Sequence, residues 1–93
     1  MDIRVGKVTH YYNHLGVAVL ELDGELKLGD TILFLGHTTE FTQEVTSMEI
    51  NHHKIQSAGP GMEAALKVDD EVRRGDLIYK VVETHNILED PVK

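Results

Sequence analysis

Cysteine and tryptophan are absent from this 93-residue chain, proline occurs twice, and basic residues number 9 against 16 acidic ones. Without cysteine there is no disulfide, no thiolate metal site and no cysteine nucleophile. The lack of thiols fits a reducing compartment. No apolar run reaches the roughly 18 residues that span a bilayer, and Met1-Asp2-Ile3-Arg4-Val5 lacks the apolar stretch of a secretory signal. A soluble cytoplasmic protein is therefore expected, with no membrane contact. The net charge of -7 repels phosphate backbones at long range. A broad electrostatic grip on nucleic acid is not expected, and direct nucleic-acid contact is left open.

What the chain does have is punctuation. Two Gly-Asp dipeptides each precede an aliphatic run, Leu28-Gly29-Asp30-Thr31-Ile32-Leu33 and Arg74-Gly75-Asp76-Leu77-Ile78-Tyr79, and Ala58-Gly59-Pro60-Gly61 makes a bend between them. Alternating or short apolar runs predict strands over 5–11, 17–22, 31–35, 41–50, 62–68 and 77–82, and 55–58 leads into the Gly-Pro-Gly bend. Asp23-Gly24 is a two-residue turn signal. In 41–50 the apolar set changes face between Val45 and Met48, which predicts a β-bulge or bend. No window carries sustained helical periodicity with caps. Six or seven short strands in one domain suggest a small closed barrel, since closure removes aggregation-prone edges. The domain is expected to occupy 1–83, with 84–93 a flexible C-terminal tail.

The order of these pieces resembles the second domain of translation elongation factor Tu. The stretches that carry the resemblance are Val5-Gly6-Lys7-Val8 with Leu15-Gly16-Val17-Ala18-Val19-Leu20, Leu26-Lys27-Leu28-Gly29-Asp30-Thr31-Ile32-Leu33, Val45-Thr46-Ser47-Met48, Ala58-Gly59-Pro60-Gly61-Met62, and Val72-Arg73-Arg74-Gly75-Asp76-Leu77-Ile78. The resemblance implies an all-β, six-stranded Greek-key β-barrel of the translation-factor domain-2 type. It implies a non-catalytic binding or adaptor module, with a protein or ribonucleoprotein partner from translation or RNA processing. The same barrel type is also appended to collagenase-like peptidases connected with RNA modification. The alternative it implies is an accessory subunit of a separate enzyme, such as a peptidase-like RNA-modifying protein. No G-x-x-x-x-G-K-[ST] phosphate loop occurs, so no nucleotide site is expected.

Candidate sites each admit a functional and a structural reading. Tyr11 and Tyr12, beside His10, could stack on a base or a partner ring, or pack within a hairpin. Arg73 and Arg74 could hold a phosphate or carboxylate, or balance Asp69, Asp70 and Glu71. His52-His53, with His10 or His14, could ligate a metal, although solvated turn histidines account for them more simply. Asp30 and Asp76 could form an acid–base pair, but an Asp after a turn glycine commonly bonds nearby amides. Nothing matches G-x-S-x-G or H-E-x-x-H. No catalytic residue, cofactor or metal is assigned, and the expectation is a chain that is not an enzyme. Its partner-binding face is placed at Tyr11, Tyr12, His14, His52, His53, Arg73 and Arg74.

Overall fold

The structure is a computed structural model that describes residues 2–82. The expectation for 84–93 lies outside the described residues. Strands occur at β1 (Asp2–Tyr12), β2 (Val17–Leu22), β3 (Leu26–Lys27), β4 (Thr31–Leu35), β5 (Glu40–Glu44), β6 (Met48–Ile50), β7 (His53–Lys54), β8 (Ser57–Ala58), β9 (Glu63–Lys67) and β10 (Leu77–Val81). There is no helix among the described residues, hence none long and apolar enough to cross a membrane. The fold is all-β, and every strand pair is antiparallel.

One eight-stranded sheet runs in the order β5-β4-β10-β1-β2-β9-β6-β7, and β3 pairs with β8 in a second small sheet. Alternation along each strand sends one set of side chains inward. Val5 and Val8 of β1, Leu20 and Leu22 of β2, Ile32 and Phe34 of β4, Leu66 of β9 and Ile78 of β10 meet in a single core. Each large aliphatic chain buried there stabilises the fold by about 1.5–3 kcal/mol. Phe34 lies opposite Phe41 across β4–β5, and their rings stack 5.0 Å apart.

The predicted strand over 41–50 is divided. β5 pairs with β4, β6 pairs with β9, and residues 45–47 connect them outside any strand. β5 and β6 are consecutive in the chain yet stand toward opposite ends of the sheet order. No ladder among the described residues joins those ends. Gln43 spans the gap instead: its Nε2 donates to the Lys67 carbonyl at 2.9 Å, and its Oε1 accepts from the Asp69 N–H at 2.7 Å. The register shifts lie in β1, between Arg4 and Gly6 and between Val8 and His10, rather than in 41–50.

The two Gly-Asp corners share one bonding scheme. In the first, Asp30 Oδ2 accepts the Lys27 N–H at 2.9 Å, and the Asp30 N–H returns to the Lys27 carbonyl at 3.1 Å. In the second, Asp76 Oδ2 accepts the Arg73 N–H at 2.8 Å, and the Asp76 N–H returns to the Arg73 carbonyl at 3.0 Å. Gly29 and Gly75 have φ of 92° and 93°, a region in which a β-carbon is strained. Each corner then grips one buried valine. Gly29 N–H and Asp30 C=O bond Val45; Gly75 N–H and Asp76 C=O bond Val8. β4 and β10, which the corners feed, lie side by side with Ile32 opposite Lys80 and Ile78 opposite Phe34. The pairing maps onto itself when Asp30 is carried to Asp76, so the chain contains a local two-fold repeat.

Candidate functional site

The second corner opens a groove because β1 outruns β10. Pairing with β10 ends at Lys7–Leu77, whereas pairing with β2 continues to Tyr12–Val17. One edge of β1 beyond Val8 is therefore left beside the loop that carries Val72, Arg73 and Arg74. Between them lies a shallow groove of about 450 Å³ lined by Thr9, His10, Tyr11, Glu71, Val72, Arg73 and Arg74. Buried Val72 anchors the loop floor. Half-buried Tyr11 packs against the core, and Thr9 Oγ1 donates to the Val19 carbonyl at 3.2 Å where β1 bulges. The register shift lies beside the groove, whose β1 wall is Thr9, His10 and Tyr11.

Arg73 and Arg74 are exposed, and among the described residues neither enters an ion pair. The ion pairs there are Arg4–Asp23, Lys7–Glu21 and Lys80–Asp30. The reading that Arg73 and Arg74 balance Asp69, Asp70 and Glu71 thus finds no direct contact. A second cleft of about 240 Å³ adjoins the first through Glu71 and Arg73, and adds Thr38, Thr39, Glu40, Phe41 and Asp70. The groove is cationic and aromatic on one side of Glu71 and acidic on the other.

The residues expected to form a partner face divide accordingly. Tyr11, Arg73 and Arg74 come together in the groove. Tyr12 adjoins it, with its ring stacked on His10 at 6.2 Å between centroids and 8° between planes. His14 is exposed at the β1–β2 turn and does not line the groove. Nor do His52 and His53, which belong to the β6–β7 hairpin. Asn51 and His52 have φ of 52° and 65° in that two-residue turn. No group of three or more His, Cys, Asp or Glu side chains is placed to hold a metal among the described residues. Asp30 and Asp76 each bond a backbone N–H, as turn residues do. Thr9 and Glu71 were missed as groove residues. Thr9 lies at the register shift of β1, which one-sequence alternation does not locate.

The model of the Peptidase family U32 C-terminal domain matches residues 3–78. The chain is 42% identical over 83 residues to an uncharacterized protease of Methanocaldococcus jannaschii, covering 88% of this chain and 20% of that protein. It is 35% identical over 80 residues to a collagenase of Porphyromonas gingivalis, covering 84% and 19%. This chain therefore spans about a fifth of the curated relatives it matches. Among solved structures, the C-terminal domain of a protein described as a U32 peptidase from Geobacillus thermoleovorans superposes with a TM-score of 0.80 at 21% identity, covering 84% of this chain and 91% of that one. At that identity the likeness concerns the fold. These findings correct the resemblance to the second domain of elongation factor Tu and the translation role it implied. The Gly-Asp corners that carried it serve backbone bonding to Val45 and Val8 in this chain. The chain belongs to the U32 peptidase C-terminal domain family.

Proposed function

We propose that this chain is a non-catalytic docking module that works with the catalytic portion of a U32 peptidase, and that the Tyr11–Arg73–Arg74 groove is its docking face. The observation that carries the reading is the contrast between the two kinds of charged group at the second corner. Asp76 is 5% exposed and its carboxylate is taken up by the Arg73 N–H. Arg73 and Arg74 project outward without ion-pair partners among the described residues. Rigid scaffold below and open polar side chains above is the arrangement of a recognition surface. The family and the one-fifth span of the relatives support an accessory role beside a larger catalytic part.

The same reading includes a closed, six-stranded barrel as the scaffold. β5 and β6 act as one bent strand, with Gln43 sealing the seam through Lys67 and Asp69. In that view β1, β2, β4, β9 and β10 complete the wall.

The test is reconstitution. The catalytic portion of a U32 polypeptide from the same organism is assayed on a peptide substrate alone and with this chain added. A stoichiometric complex with raised turnover, and no turnover by this chain alone, supports the reading. Turnover by this chain alone, or no complex, overturns it.

A further inference from the structure

The halves of the local two-fold repeat differ in what covers the outer edge of each corner. At the first corner an extended segment of the chain itself covers the outer edge. Leu26 pairs with Ala58 and Lys27 with Ser57, the Leu28 N–H donates to the Gln56 carbonyl at 2.9 Å, and the Ile55 N–H donates to the Met48 carbonyl at 3.0 Å. The covering strand thus lies between Leu26-Lys27-Leu28 and Met48. Carried to the second corner, Leu26 becomes Val72, Leu28 becomes Arg74, and Met48 stands to Val45 as Tyr11 stands to Val8. Among the described residues neither Val72 nor the Arg74 N–H has a hydrogen-bond partner. The groove of about 450 Å³ lies between these same counterparts, Val72, Arg73 and Arg74 on one wall and Tyr11 on the other.

We infer that this edge receives an extended, acidic peptide segment from a partner polypeptide, which adds to the fold as β8 does at the first corner. Unpaired edge groups are a template for strand addition, in which backbone bonds supply affinity and side chains supply selectivity. The peptide's main chain bonds Val72 and the Arg74 N–H. Arg73 and Arg74 select carboxylates, because a guanidinium forms charge-assisted, often bidentate bonds with them. At the first corner the residues corresponding to Arg73 and Arg74 are Lys27 and Leu28, so the second positive charge on this edge, that of Arg74, is more than the corner itself requires. The inference rests on the reading of the groove as a docking face and names what docks there.

The test uses the full chain, labelled with nitrogen-15, and a capped synthetic peptide in which glutamate alternates with valine. Two control peptides carry lysine in place of glutamate, or N-methyl groups on alternate amides. Binding should saturate, shift the Val72 and Arg74 amides and slow their hydrogen exchange. Arg73→Ala with Arg74→Ala should weaken it about tenfold while the rest of the spectrum stays dispersed. The lysine and N-methyl peptides should fail. Equal binding of the lysine peptide, saturable binding that leaves both amides unmoved, or no saturation at millimolar peptide overturns the inference. So does a chain ending at Val82 that binds the peptide more than about tenfold better than the full chain, since the edge would then belong to the chain's own C-terminal segment. This titration needs no catalytic partner, so its failure is distinguishable from failure of the reconstitution.

Discussion

Asp76 is the residue on which the second corner turns. Its carboxylate accepts the Arg73 N–H, and a β-carbon at Gly36 would overlap it. Asp76→Ala leaves that amide without its partner in a nearly closed space, which should cost about 1–3 kcal/mol. Gly36→Ala should cost a similar ~1–3 kcal/mol by overpacking. Chemical denaturation reads both, and a loss under about 0.5 kcal/mol for each would show the corner to be tolerant. His52 has the opposite character. It holds a left-handed φ of 65° that suits glycine, so His52→Gly should raise stability by about 1 kcal/mol, seen as a higher melting temperature. The turn roles of Asp30 and Asp76 could be read in the sequence because a Gly-Asp pair before an apolar run has one simple local use. The corner at 51–54 was legible as a polar stretch whose Asn51 tolerates the left-handed region, but the left-handed φ of His52 was not, because histidine is not the glycine that marks such a position.

At the scale of elements, β2 matches the alternating run over 17–22 and β4 the short apolar run over 31–35, although β4 alternates in burial. The bend within 41–50 was also legible, as a change of apolar face between Val45 and Met48. Its form was not, because Val45 turns to bond Gly29 and Asp30, residues distant in the chain. The very short β3, β7 and β8 carry too few residues for a period to show. Gln43 is the element-level joint. Gln43→Ala removes the two bonds across the seam, with a third to the Glu44 carbonyl, and orphans the Lys67 carbonyl and Asp69 N–H. A loss of about 1–3 kcal/mol is expected, together with faster hydrogen exchange at Asp69 than in the parent. Unchanged exchange at Asp69 would mean that the seam is held by other contacts.

For the whole molecule, composition sets the charge balance. With six histidines on a chain of net charge -7, full histidine protonation leaves the net charge near neutral, and proteins near neutrality associate. Light scattering should be higher at pH 5 than at pH 8, and equal scattering would contradict this. The groove was half legible. Tyr11, Arg73 and Arg74 stand out as residues, but their convergence depends on β1 running past β10, a tertiary relation that no local pattern encodes. His14, His52 and His53 stand out equally and lie elsewhere, since exposure in a turn does not say which turns meet.

The most direct test of the docking account is a calorimetric titration of the full chain against the catalytic portion of a U32 polypeptide from the same organism. Parent, Arg73→Ala/Arg74→Ala and His52→Ala/His53→Ala chains would be compared. The account predicts saturable one-to-one binding, weakened about tenfold by the arginine pair and unchanged by the histidine pair. Equal affinity for the parent and arginine variants, or no binding by the parent, would contradict it.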